Sequence, residues 1–218
     1  MSRQLRYQVA VSLDGFIAGP NGEFDWIVMD PAIDFSALYK EFDTAVMGRK
    51  TYDAGLAQGA SGAMPGIEVV VFSRTLAPST RKGLSIVTGD APEAVAALKA
   101  KPGRDIWLFG AGALVRSLLD AGLVDSVEVA VMPVLLGAGV PLLPPGHPAK
   151  LVFNEQKTLP ASGIVMLSYA VPGSGGSAPP IRYIKTDGTG KKSRPARKPA
   201  AAAKRRRPKT KRAATARR

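Results

Sequence analysis

Three short segments, each at the end of an apolar run, carry groups that can hold a phosphate. Gly48-Arg49-Lys50-Thr51 follows the run 44–47 and offers a hydroxyl and two cations at the start of a helical segment. Ser73-Arg74-Thr75 follows EVVVF at 68–72 and adds hydroxyls and a cation suited to a phosphate monoester. Gly110-Ala111-Gly112 follows Ile106, Trp107, Leu108 and Phe109 and leads into Ala113 and Leu114. With nothing larger than a methyl group in that turn, a phosphate can reach unpaired backbone N–H groups and the positive end of a helix dipole. Each segment also has a plainer reading. Small residues let a helix pack closely on a strand, and a surface arginine after a strand is common. A G-x-G-x-x-G fingerprint would need a small residue at 115, where the chain has Val115, so a different nucleotide fold is expected.

Other chemistry is limited by composition. The chain has no cysteine, which excludes disulfides and thiolate nucleophiles. Its one histidine, His147, lies in the loop PPGHP and reads as a solvated side chain, so no metal centre is expected. Asp14, with Gly15, ends the opening strand in a turn, and Asp34 stands in the first turn of a helical pattern, where the dipole favours an acid. Between two turns, Phe16, Ile17 and Ala18 form an apolar patch in a loop that can fold over a ligand or simply connect.

The elements that must position these groups follow from periodicity. Leu5, Tyr7, Val9 and Val11 alternate as an opening strand, and 34–42 (DFSALYKEF) reads as a helix with Phe35, Leu38 and Phe42 on one face. Strands are expected at 44–47, 68–72, 84–87, 106–109 and 126–134, and helices at 52–56, from about 91, and from 113 to the stop at Gly122. Residues 57–66 and 135–148 read as Gly/Pro-rich loops, and 151–159 with 163–171 as a closing hairpin about Pro160-Ala161-Ser162. Strands alternate with helices early and pair directly at the end. That order predicts an α/β fold: a mixed sheet, parallel in its centre, with an antiparallel C-terminal edge.

The 218 residues carry a formal charge of +13, but unevenly. From Gly173 onward there are 16 Lys plus Arg and one acid, Asp187, leaving 14 basic and 16 acidic groups for the body. Residues 1–172 suit one domain with one core. Residues 173–218 begin with the linker GSGGSAPP and continue in Lys, Arg, Ala and Pro, too poor in apolar surface to offset their ordering entropy, so disorder is expected. Such charge density in 185–218 suits the phosphates of nucleic acid, or another polyanion, without base reading, and its plainer role is a tail that only keeps the protein in solution. No apolar run approaches a membrane span and the N-terminus does not look like a signal peptide, so the expected compartment is the cytoplasm.

Five segments in register carry a resemblance: SLDGFIAGPNGEFDW, VMGRKTYD, VFSRTL, IWLFGAGAL with LLDAGLVD, and EVAVMPVLLGAGVPLL. Together they resemble the dihydrofolate reductase-like superfamily, in the branch related to the reductase domain of the bifunctional riboflavin-biosynthesis deaminase/reductase. The resemblance covers residues 3–171 and implies a mixed sheet with helices on both faces and NADPH across the ends of its central strands. It gives Gly48, Arg49, Lys50 and Thr51 a pyrophosphate and 2′-phosphate role, and Ser73, Arg74 and Thr75 the adenosine 2′-phosphate end. Gly110, Ala111, Gly112, Ala113 and Leu114 would hold the pyrophosphate beside the nicotinamide, with Ile17 among the cofactor contacts. One departure is the methyl at Ala111, where the family usually has a third glycine. Asp34 looks like the carboxylate that binds a pterin and supports its protonation, and Asp14 lies in the segment that borders the substrate; their plainer roles are helix cap and turn. These 218 residues hold no cysteine and one histidine, not the zinc ligands of a deaminase domain, so the full bifunction is not expected of them.

The resulting expectation is an NADPH-dependent reductase of a pterin- or pyrimidine-type heterocycle, and a homodimer by analogy with relatives. The alternative is a nucleic-acid-associated protein working through its basic tail, with a nucleotide-binding but non-catalytic body. A reductase tethered to the nucleoid would combine the two.

Overall fold

The computed structural model describes residues 3–110 and 112–174. The basic tail, with the nucleic-acid contacts expected of 185–218, therefore lies outside the described residues. Ten strands and four helices follow in the order β1 (Leu5–Ser12), β2 (Phe16–Ala18), α1 (Phe35–Tyr39), β3 (Phe42–Gly48), α2 (Arg49–Ala57), β4 (Glu68–Phe72), β5 (Leu84–Val87) and α3 (Ala91–Ala100). They continue with β6 (Asp105–Leu108), α4 (Ala113–Asp120), β7 (Ser126–Met132), β8 (Val140–Pro141), β9 (Val152–Leu159) and β10 (Ile164–Ala170).

Eight strands form one sheet in the order β5-β4-β3-β6-β1-β7-β10-β9. From β5 through β7 every neighbouring pair is parallel, and β10 and β9 add an antiparallel edge, as the alternation of elements predicts. The chain lays down β3, β4 and β5 outward, returns through α3 to insert β6 beside β1, and crosses β1 through α4 to reach β7. The helical crossovers of these parallel connections cover parts of both faces of the sheet.

Strand alternation divides the core between the faces. Leu5, Tyr7, Val11, Val46, Ile106 and Leu108 pack with Val95 of α3 and with Val115 and Leu118 of α4. The opposite phase of the same strands, with Ala45, Met47 and Trp107, packs with Leu38 of α1 and, at its margin, Tyr52 of α2. A third cluster joins Met132, Leu159 and Ile164 to the segment holding Trp26, Ile27, Ala32 and Ile33.

Two expectations need correction. The helix expected over 34–42 is only the five residues of α1, and Phe42 instead opens β3. Phe42 is fully buried, stacks on Trp107 with ring centroids 5.3 Å apart, and lies under the Arg6 guanidinium at 4.7 Å. Those contacts across the sheet outweigh a weak helical preference. The Gly/Pro stretch 135–148, read as loop, contains β8, which pairs antiparallel with β2 in a separate two-stranded sheet. Five residues in two tiny strands carry too little periodicity to be seen in sequence.

Candidate active site

Because β5, β4, β3, β6, β1 and β7 run parallel, their C-terminal ends share one rim. Register shows it directly: Gly48 lies beside Phe72, Phe72 beside Val87, Val46 beside Leu108, and Ser12 beside Met132. All three anion-binding segments read from sequence therefore meet at this edge. They border a groove of about 2130 Å³ that also receives Gly48, Thr51, Arg74 and Gly112. Single small-molecule sites occupy roughly 300–1,000 Å³, so the groove has room for a dinucleotide and a second ligand.

The helix starts differ in a way that bears on anions. Asp34 caps α1 by accepting the Ala37 N–H at 3.0 Å, and Asp90 caps α3 by accepting the Glu93 N–H at 2.9 Å. By contrast α2 and α4 begin at Gly48 and Gly112, neither of which supplies a side-chain cap. Their first-turn N–H groups are left without side-chain acceptors, at the positive ends of two helix dipoles. A Cβ at Gly48 or Gly112 would meet nothing within 4 Å, so space stands open above both turns.

Gly110 serves a different purpose. Its φ is +103°, and a Cβ there would run into the Thr51 hydroxyl and come 2.9 Å from Thr51 Cγ2. The turn after β6 thus touches the first turn of α2, locking together two of the segments read from sequence as candidate anion sites. Only glycine permits both that backbone angle and that approach.

The remaining cofactor candidates line the same groove. Ser73 Oγ accepts the N–H groups of Thr75 at 3.2 Å and Leu76 at 3.0 Å, which shapes the turn and leaves the hydroxyl proton for another acceptor. Arg49 donates from Nε to Asp53 at 3.0 Å and from Nη1 to Thr75 Oγ1, tying α2 to the turn after β4. Lys50 and Arg74 are exposed at the groove edge, as is Ala113, while Leu114 packs against the core. Ile17 of β2 is half-buried and reaches the groove from the opposite wall. Ala111 lies outside the described residues.

Both catalytic candidates are engaged elsewhere. The Asp34 carboxylate is the α1 cap described above, and Asp34 is not among the residues lining the groove. Asp14 accepts from Ser12 Oγ at 2.5 Å, from Leu136 N at 3.0 Å and from Gly137 N at 2.6 Å. It clamps the turn after β1 to the loop after β7. The Ser12 hydroxyl first, and then the Gly137 and Leu136 amides, hold its carboxyl below the usual carboxylate range. Tyr7 adds a second tie by donating to the Leu142 carbonyl at 2.8 Å, and burial pushes its hydroxyl pKa up.

The floor of the groove carries polar residues that strand alternation does not mark. Arg6, fully buried, donates to Glu128 twice, from Nε at 2.8 Å and from Nη2 at 2.7 Å, and to Glu41 at 2.5 Å. Burial alone would lower the Arg6 pKa, but the bonds to Glu128 and Glu41 outweigh it and hold the guanidinium above its ordinary value. Gln8 stands between them on β1, opposite Glu128 in register. In sequence, the polar phase of an alternating strand reads as facing water; here it faces the groove. An Arg and a Glu inside otherwise apolar strands were the available signal.

Among the described residues no three His, Cys, Asp or Glu cluster as metal ligands, and no helix is long and apolar enough to cross a membrane.

A parallel-centred sheet with an antiparallel edge, helices on both faces and a groove across the central strand ends defines the dihydrofolate reductase-like fold. Residues 3–164 match the RibD C-terminal domain, and the chain belongs to that family of reductase-like domains. Among its relatives is the protein YyaP of Bacillus subtilis, 36% identical over an alignment of 151 positions that covers 64% of this chain and 80% of YyaP. A crystal structure of a riboflavin biosynthesis protein from Shewanella sp. PV-4 superposes with TM-score 0.67 at 26% identity, covering 78% of this chain and 99% of that one. A deaminase/5-amino-6-(5-phosphoribosylamino)uracil reductase from Thermotoga maritima superposes with TM-score 0.58. At 14% identity, over 78% of this chain and 57% of that one, it shares the fold.

Proposed function

We propose that this protein is an NADPH-dependent reductase that transfers hydride to a C=N or C=O group of a small pterin- or pyrimidine-type heterocycle. The observation that carries this reading is the meeting of Thr51, Arg74 and Gly112, far apart in sequence, on one groove whose two glycine-started helices lack side-chain caps. The family adds support, being one of reductase-like domains.

In this reading the N–H groups at the starts of α2 and α4 bind the pyrophosphate, and Thr51 steadies both turns. Lys50, Arg74, Ser73, Thr75 and Arg49 receive the 2′-phosphate, the first two as exposed charges and Ser73 through its remaining proton. Ile17 packs over the cofactor's far end. Asp14 acts as a positioning residue by holding the loop after β7 over the mouth. NADPH supplies a hydride; the protein supplies alignment and a groove that limits water.

The test uses the fluorescence of Trp107, which lines the groove, and of Trp26. NADPH is expected to bind more tightly than NADH, and Arg74→Ala to narrow that preference by roughly tenfold, the ~1.5 kcal/mol of one charge-assisted contact. Absence of NADPH binding refutes the reading.

A further inference from the structure

We propose that the second ligand of the groove, the heterocycle that takes the hydride, carries an uncharged apolar arm and no phosphate, an inference that rests on the reductase reading above. Two walls bound its place. On one, Tyr39 of α1, Trp107 of β6 and Phe109 just beyond it form an aromatic run along the groove, with ring centroids 5.8 Å and then 5.1 Å apart. On the other, the segment 24–33 sets Phe24, Val28 and Met29 on the groove. Between the walls, Ala10 of β1 and Ala130 of β7, partners in register, keep the floor low. Val28 is 45% exposed, Met29 67% and Tyr39 46%, so a ligand in the groove can reach all three. Val28 and Met29 are held in place from both sides. Ile27 and Ile33 pack with Met132, and buried Asp30 accepts the Ala32 N–H at 2.7 Å. A folded domain seldom displays several large apolar side chains on one concavity unless something covers them.

Charge decides what covers them. Among the described residues, the cations that line the groove are Arg6, Arg49, Lys50 and Arg74. Arg49 and Lys50 open α2 after β3, and Arg74 follows β4. Segment 24–33 packs instead on Met132 of β7, which is three places from β3 and four from β4 in the sheet. Strands lie about 4.8 Å apart, so those cations start roughly 14–19 Å away, farther than a side chain extends. Arg6 is nearer, but it is buried and its guanidinium is held by Glu128 and Glu41. The other charges on this side, Asp25 at the lip and Glu128 on the floor, are negative. A phosphate placed here would give up hydration and meet no counter-charge, whereas an apolar arm gains with all the surface of Val28, Met29 and Tyr39 that it removes from water. The heterocycle therefore lies over the two alanines with its arm directed out between Tyr39 and Met29.

Three probes that share one ring test this: 6-aminouracil, 6-(benzylamino)uracil, and the latter with a phosphonate on its phenyl group. Binding to the full chain in saturating NADPH is measured by titration calorimetry. The benzyl arm is expected to raise affinity over 6-aminouracil by roughly tenfold or more, and the phosphonate to remove that gain. Met29→Lys, a change at an exposed side chain, is expected to weaken the benzyl probe and to strengthen the phosphonate probe, the second effect fading at high salt. A phosphonate probe that binds as tightly as the benzyl one, a benzyl probe no tighter than 6-aminouracil, no binding of any probe, or a preference unchanged in Met29→Lys overturns the assignment. A benzyl gain that emerges only on dilution means that a second copy of the chain covers the lip, and overturns it equally. Should Met29→Lys fail to fold, the three-probe comparison on the unmodified protein decides alone. Failure of the probes with NADPH still bound removes only the apolar arm, whereas failure of NADPH itself to bind removes the reductase reading beneath it.

Discussion

Replacing Gly110 with alanine tests whether the groove is built by contact between two distant turns. The substitution forces a side chain onto a backbone at φ +103° and drives a Cβ to 2.9 Å from Thr51 Cγ2. Backbone strain of this kind costs about 1–3 kcal/mol, and overpacking about 1–3 kcal/mol more. For a domain of this size each kcal/mol lowers Tm by roughly 2–4 °C, so Gly110→Ala is expected to lose about 4–24 °C. Gly112→Ala provides the control. Its φ is +81° but its Cβ meets nothing within 4 Å, so it should show the strain without the clash. The decisive measurement is a double-mutant cycle with Thr51→Ala, read by thermal and urea unfolding. Truncating Thr51 removes its hydroxyl and Cγ2, and should recover about 1–3 kcal/mol in the Gly110→Ala background and nothing in the Gly112→Ala background. NADPH affinity should fall in Gly110→Ala because the displaced turn leads into the start of α4 and presses on the first turn of α2. A Gly110–Thr51 coupling below about 0.5 kcal/mol, the noise of such cycles, refutes the argument.

Two further substitutions address the carboxylates. Asp34→Ala should cost about 0.5–2 kcal/mol by removing the α1 cap, while Asp34→Asn, an equally good cap, should leave Tm and hydride transfer intact; lost transfer at unchanged Tm would instead assign the carboxylate to chemistry. The Asp14 carboxyl is held below its ordinary range in the folded protein, so its contribution is fully present above the unfolded value near pH ~4 and is lost as pH falls through the lower folded value. Asp14→Asn should therefore flatten the acid limb of the stability profile, and an unchanged limb in denaturant titrations would remove the clamp.

Much of this protein is legible from sequence because local chemistry and strand order travel together. Strand-then-small-residue-then-helix at 44–51 and 106–114 is a local pattern, and parallel strands put all such turns at one end of the sheet. The antiparallel edge followed from two strands joined by a turn too short for a crossover. What the sequence left open depended on partners distant along the chain. Phe42 belongs to a strand because Trp107 and Arg6 are there to receive it. Asp34 and Asp14 are eligible as catalysts by type and position, and only the positions of Ala37, Ser12, Leu136 and Gly137 commit them to capping and clamping.

The composition of the strand ends was a property of the chain alone, since any fold with these strands parallel carries anion-binding groups on one rim. Which face of the sheet stays open was decided in three dimensions. Helices α3 and α4 pack against one side of β1 and β6, while short α1 and the segment around Trp26 leave the other side uncovered between them. Arg6, Gln8 and Glu128 look out on that uncovered strip, and a period of two residues cannot say whether the space beyond a polar side chain holds water or a ligand.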